Sequence, residues 1–123
     1  MILDAGVLIS VDRGERSALA LAPRAADAKP LHTTHAVVAQ VWRDGARQAR
    51  LAKFLRTVTI HPLEDGKEVG HLLANSGRSD VVDAHLVHLA LQLGDAVLTG
   101  DSADLKTISN SLGDAGPPIH PWP

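Results

Sequence analysis

The side chains in this sequence best suited to chemistry are aspartates at the ends of apolar segments. Asp4 follows a short apolar run at the N-terminus, and Asp101 follows the apolar run 96–100. Asp80 and Asp83 open a strongly apolar helical segment between them. If the two apolar runs are neighbouring parallel strands, Asp4 and Asp101 lie side by side at the sheet edge where α/β proteins bind ligands.

Carboxylates placed that close together repel each other, and a bound cation relieves the repulsion. Oxygen ligands of this kind suit Mg²⁺ or Mn²⁺, which polarises a phosphate and lowers the pKa of a bound water. The pattern therefore predicts a metal-dependent phosphodiesterase site. We find no local structural role for Asp4 in the sequence, whereas Asp101 also suits a turn or the start of a helix.

Two further aspartates near this constellation have alternative interpretations. Asp80 lies three residues before Asp83, so both can share one helix face. Asp80 then either adds a ligand to the metal site or only caps the helix, a position where aspartate is favoured. Asp104 is interpreted as a first-turn helix acid that shapes the potential of the site, with direct ligation as the alternative. Thr99 either orients a carboxylate or is a β-branched strand residue.

The elements that must position these residues alternate between strands and helices. Strands are predicted at 1–3, 30–34, 58–63 and 95–99, with a short edge strand in the proline-rich tail 116–123. Helices are predicted at 5–11, 15–29, 35–44, 46–56, 64–75, 79–93 and 103–112. This order predicts one α/β domain over residues 1–123, with a mostly parallel central sheet of about four or five short strands flanked by helices.

The composition excludes several classes of function. Aromatic residues are limited to Trp42, Phe54 and Trp122, which argues against single-strand binding by base stacking. Cysteine is absent, so there is no disulfide, thiolate metal site or cysteine nucleophile. The net charge of −2 gives no general attraction for nucleic acid. No signal peptide or membrane span is evident, and we expect a cytoplasmic protein.

Four segments in order resemble the PIN-domain family, and specifically the VapC toxins of bacterial toxin–antitoxin pairs. They are Asp4 to Leu8 at the start, Ala39 to Arg43, Asp83 to Val87 opening a late helix, and Leu98 to Asp101 ending a strand. The resemblance extends over essentially the whole chain. It implies a PIN-like three-layer fold.

The resemblance also implies a function. It makes Asp4, Asp83 and Asp101 the catalytic, metal-binding carboxylates of a Mg²⁺- or Mn²⁺-dependent endoribonuclease that cleaves transfer or ribosomal RNA. It further implies a cognate antitoxin that neutralises the enzyme, and a homodimer. The Ala/Leu-rich segment Ser17 to Ala28 is a candidate contributor to the dimer.

The sequence departs from the family pattern at two positions. Gln40 stands where the family usually has a glutamate; it can offer a carbonyl oxygen to a metal but no charge. Ala5 stands where the family favours serine or threonine. Asp80 is a candidate to restore the missing charge. The alternative function is a catalytically weakened or silent PIN-like module that binds RNA or protein. A phospho-acceptor domain using Asp4 or Asp101 fits poorly, because no acidic pair can precede Asp4.

Basic residues recur at three- and four-residue steps through the middle of the chain. They form either a phosphate-contacting ridge or a solvated helix face, and comprise Arg43, Arg47, Arg50, Lys53 and Arg56. Arg78 is a second candidate phosphate contact. His32 and His35, like His85 and His88, are three residues apart, but neither pair has a third zinc ligand at a recognisable spacing. We expect His85 and His88 on the more exposed part of their helix.

Overall fold

A computed structural model of the chain describes residues 1–21 and 30–123. Its strands are β1 (Ile2–Leu3), β2 (Leu31–Thr34), β3 (Val58–His61), β4 (Val97–Thr99) and β5 (Ile119–Pro121). Its α-helices are α1 (Ala5–Asp12), α2 (His35–Val41), α3 (Ala49–Leu55), α4 (Gly66–Ser76), α5 (Val81–Leu93) and α6 (Ala103–Asn110). Two short 3₁₀ turns cover Arg16–Ala20 and Gly113–Ala115.

The five strands form one sheet in the order β3-β2-β1-β4-β5, and every pair is parallel. The predicted α/β fold with a parallel central sheet is therefore confirmed. The shortest strand, β1, lies at the centre and pairs with β4 through Ile2 and Leu3. The proline-rich β5 lies at an edge, where missing N–H donors cost least. This order brings the residues that follow β1 and β4 to the same edge of the sheet.

The core is aliphatic and is centred on β1, β4 and α5. Ile2, Leu3, Val97 and Leu86 are fully buried, as expected for parallel strands covered on both faces. Helix α5 packs against α4 and α6 and reaches β1, β2 and β4, while α1 packs against α2 and α3. None of the described helices is both long enough and apolar enough to cross a membrane.

Several predicted boundaries are wrong around the second helix. Helix α2 ends at Val41 rather than residue 44, because the Gln48 side chain forms hydrogen bonds with the backbone at and just beyond that residue. The Gln48 side-chain oxygen accepts hydrogen bonds from the backbone N–H groups of Arg43 (2.7 Å) and Asp44 (3.0 Å), and its amide nitrogen donates to the Val41 carbonyl (3.0 Å). Helix α3 consequently begins at Ala49.

The predicted helix 15–29 is only partly within the described residues. Its first part is the 3₁₀ turn Arg16–Ala20, and residues 22–29 lie outside the described part of the chain. The same holds for residues 22–28 of the predicted dimer segment, Ser17 to Ala28.

Candidate active site

Asp4 stands where β1 becomes α1, and its side chain is held from two directions. One carboxylate oxygen accepts a hydrogen bond from the backbone N–H of Ala5 at 2.7 Å, so Asp4 caps α1. The other accepts from the hydroxyl of Thr99 at 2.7 Å. The expectation that Asp4 has no local structural role is therefore wrong: the same carboxylate begins a helix and faces the sheet edge.

Thr99, the last residue of β4, links the two strand-end aspartates. Its hydroxyl donates to Asp4 and accepts a hydrogen bond from the backbone N–H of Asp101 at 3.0 Å. Thr99 itself is 1% exposed, while both hydrogen bonds are partly buried. Thr99 is both a strand residue and a partner of the Asp4 carboxylate, so both interpretations of it hold, and the predicted proximity of Asp4 and Asp101 follows from the pairing of β1 with β4.

Helix α5 brings two more carboxylates to the same edge. Asp80 caps the helix, because its side chain accepts a hydrogen bond from the backbone N–H of Asp83 at 3.1 Å. The capping interpretation of Asp80 is thus confirmed. Asp83 follows in the first turn and is partly buried. Asp104 lies in the first turn of α6, and Ser102 rather than Asp101 is the residue that begins that helix.

The carboxylates act on one another electrostatically. Burial, followed by the negative charges of Asp80, Asp4, Asp104 and Asp101 in that order, raises the pKa of Asp83 to about 6. Five carboxylates from four segments therefore share one local field. A recess of about 170 Å³ beside Asp83 is lined by Gly77, Arg78, Ser79, Asp80, Asp83 and Asp104.

The chemistry of these donors fits a hard divalent cation. Within residues 1–21 and 30–123, no group of three or more His, Asp or Glu side chains is arranged to hold one ion by itself. Mg²⁺ usually binds one or two carboxylates and keeps several waters, so it does not require such a closed cage. A cation would also offset the repulsion that raises the pKa of Asp83. Asp4, Asp83 and Asp101, which the family resemblance implies as ligands, all take part in that repulsion.

Gln40 is exposed near the end of α2, a helix that packs against α1. No hydrogen bond among the described residues joins its side chain to the five carboxylates. Gln40 therefore adds no charge to the site and holds none of its aspartates in place.

The basic residues of the middle segment do not form a continuous helical stripe, because Arg43 and Arg47 precede α3. Arg43 donates to two backbone carbonyls of its own segment, and Arg47 lies 3.8 Å from Asp44. Arg50 donates to the Asp12 carbonyl at the end of α1, about 12 Å along the helix axis from Asp4. These contacts hold Arg43 and Arg47 against their own segment and Arg50 against the far end of α1, whereas Arg78 borders the carboxylates.

The histidine expectations need correction. His85 is buried, and the His88 ring contacts the Asp65 carboxylate at 3.0 Å, so neither lies on a wet helix face. Helix α5 is apolar on most sides because it is the central helix. Its apolar composition is visible in the sequence and would have predicted that His85 is buried. The contact between the rings of His32 and His61, 2.9 Å between nitrogens, depends on the pairing of β2 with β3 and has no local sequence signal.

Comparisons with known proteins support the fold. The sequence matches no protein-family model and no curated protein. In structure, the chain is similar to a chain of VapBC2 from Rickettsia felis, solved bound to a DNA fragment from their promoter. The TM-score is 0.72 at 15% sequence identity, covering 99% of this chain and 98% of that one. At this identity the likeness establishes the fold, and the fold is PIN-like, as expected.

Proposed function

We propose that this chain is a VapC-type toxin, a Mg²⁺- or Mn²⁺-dependent endoribonuclease that cleaves structured RNA and is neutralised by a cognate antitoxin. The observation that carries the proposal is the crowding of four other carboxylates around Asp83 at the edge of a PIN-like parallel sheet. Such crowding raises the energy of the ionised site, and a bound cation would lower it. The transfer and ribosomal RNA substrates rest on the family resemblance.

Some residues of the chain position the groups of the site, and others supply its negative charge. A bound divalent ion would polarise the scissile phosphate and supply an activated water. Thr99 fixes the Asp4 carboxylate and the Asp101 backbone in one arrangement, so these groups need no reorganisation when substrate arrives. Asp83 supplies a partly desolvated carboxylate whose ionised form a bound cation would stabilise.

Cleavage of total bacterial RNA by the purified chain in Mn²⁺ tests the proposal. We expect discrete fragments, and we expect Asp4→Ala to abolish them, while Asp114→Ala, an exposed acid in the Gly113–Ala115 turn, cuts normally. Fragments that persist in Asp4→Ala would show that the nuclease activity is a contaminant. No fragments from the native chain would refute the enzyme.

The antitoxin is a second part of the proposal. The similar protein from Rickettsia felis is named as a complex, VapBC2, bound to promoter DNA. The acidic edge of this chain favours a partner that inserts a basic or apolar segment. Co-expression with the product of a neighbouring small gene should yield a complex on gel filtration that does not cut RNA. Separate elution of the two proteins would count against it. Homodimerisation is tested on the same column with the chain alone.

A catalytically silent module is the second candidate, and Gln40 favours it. The structure leaves this side chain uncharged and exposed, without a bond to the carboxylates. Gln40→Glu separates the two functions: in an active enzyme it changes the rate of an existing cleavage, whereas in a silent module it creates cleavage. Thermal unfolding gives an independent measurement, because Mn²⁺ stabilises a chain that binds it and leaves the Tm of a silent one unchanged.

A further inference from the structure

Arg78 borders the acidic recess, and the ends of two helices fix its backbone on both sides. Arg78 follows Gly77, which ends α4 with a left-handed φ of 69°. Two residues later Asp80 caps α5. The arginine is therefore presented from a loop of only a few residues between two anchored helix ends, beside Asp83 and Asp104.

The Arg78 guanidinium is loosely held. Its Nε lies 3.8 Å from an Asp104 carboxylate oxygen, and Nη2 donates a long hydrogen bond of 3.4 Å to the Thr107 hydroxyl. Its side chain is 46% exposed. A guanidinium carries five N–H donors in a planar fork, so most of its donors remain available to a ligand.

Neutralising the aspartates is the other role that such an arginine could have. Among the ion pairs of the described residues, the Arg78 guanidinium meets one of the five carboxylates, Asp104, at 3.8 Å, and it also contacts Thr107 on α6. At that distance the pair is not hydrogen-bonded, so Arg78 offsets the charge of Asp104 only in part and keeps donors for a ligand.

We propose that Arg78 binds a backbone phosphate of the RNA beside the scissile phosphate. The inference rests on the proposed nuclease function and adds a substrate-binding residue to it. Planar two-point binding of phosphate is the chemistry for which arginine is suited. An acidic site repels a polyanion, and a loosely paired cation at its border offsets that repulsion where the substrate enters. Arg50 is less suited to this role, because it is bonded to the Asp12 carbonyl at the end of α1 opposite Asp4.

The test measures binding of a short fluorescein-labelled RNA of mixed sequence by anisotropy, in Ca²⁺, with a gel to verify that the RNA stays intact. Arg78→Ala should weaken binding roughly tenfold, the lower end for a charge-assisted contact. The slope of log affinity against log salt should fall by about 0.7, the value for one phosphate on a single strand. Arg78→Lys should lie between, because it keeps the charge and loses the fork. In cleavage assays, Arg78→Ala should raise KM and leave kcat unchanged.

Two variants serve as matched controls. Arg13→Ala removes an exposed arginine with an ion pair of similar length, 3.9 Å to Glu15, at the far end of α1. Thr107→Val removes the hydrogen-bond partner of Arg78 without changing the charge. Both should bind RNA as the native chain does.

Equal affinities and salt slopes for Arg78→Ala and Arg13→Ala would overturn the inference. So would a Thr107→Val variant as weak as Arg78→Ala, because the arginine would then act by tying α5 to α6. A native chain that neither binds nor cuts RNA would overturn the proposed function, and this inference with it.

Discussion

Replacing Asp83 by asparagine should stabilise the metal-free protein at neutral pH while removing its activity. In the folded chain the pKa of Asp83 is raised from its ordinary 3.8 to about 6, by burial and by the surrounding carboxylates. Well below pH 3.8 the side chain is neutral in both folded and unfolded chains. Between the two pKa values the folded chain binds the proton more tightly, so stability falls as pH rises. Above about pH 6 the full cost is present.

The magnitude follows from the same shift. A full conversion of the pKa change would give about 3 kcal/mol. Asp83 is only partly buried, so solvent screening reduces this to the order of 1 kcal/mol. Its position in the first turn of α5 opposes the effect, because a negative charge there interacts favourably with the helix dipole. We therefore expect Asp83→Asn to be more stable than the native chain by about 1 kcal/mol at neutral pH, with the difference vanishing well below pH 3.8.

Urea unfolding of the two chains in EDTA, across this pH range, measures the difference directly. Comparing the two chains cancels the titration of the histidines, including His32, whose pKa is lowered by burial and by His61. Asp114→Asn is the control for loss of an exposed acid. With Mn²⁺ at ten times its Kd the order should reverse, because metal adds about 1.4 kcal/mol to the native chain only. An Asp83→Asn chain that is no more stable than native in EDTA at neutral pH would refute the reasoning.

Four further substitutions test the packing and the hydrogen bonds that the structure shows. Gly116→Ala should destabilise by about 3 kcal/mol in urea unfolding, because a Cβ there would lie 2.1 Å from the carbonyl oxygen of Ser109; Gly70→Ala, in an open helix position, should instead stabilise by about 1 kcal/mol. Gln48→Ala should cost about 2 kcal/mol in the same assay by leaving buried backbone groups unpaired; an unchanged midpoint would contradict this. Thr99→Val should raise the Kd of Mn²⁺ about tenfold in calorimetry, and an unchanged Kd would show that the hydroxyl does not position the site.

The sequence was sufficient to predict the sheet edge because the two strands that form it are short apolar runs ending in aspartate. The pairing of β1 with β4 then placed Asp4 beside the end of β4, as the pattern predicted. Helix α5 was equally predictable from the sequence, since Asp80 is a strong N-cap signal and Gly94 ends the helix with a φ of 61°. These features are local or depend on one strand pair.

Features that depend on distant residues could not be predicted from the sequence. Gln48 looks like an ordinary surface residue in the sequence, yet its four hydrogen-bond partners include Asp12, which is 36 residues away. The end of α2 at Val41 follows from the hydrogen bond that the Gln48 amide donates to the Val41 carbonyl, rather than from the helix preferences of residues 42–44. The basic residues shared a helical spacing in the sequence, but the loop that Gln48 stabilises separates Arg43 from the later ones.

The position of Asp80 bears on whether Gln40 disables the site. Its carboxylate caps α5, yet it is also the largest charge contribution to the raised pKa of Asp83. A residue committed to a cap can therefore still supply negative charge to the site, without being a ligand. We propose that Asp80 supplies through space the charge missing at Gln40, although it does not supply the oxygen ligand that a glutamate would offer. On this argument the glutamine at position 40 lowers the affinity for a cation, because a glutamate ligand is missing. The long-range electrostatic attraction of the cation to the site stays the same.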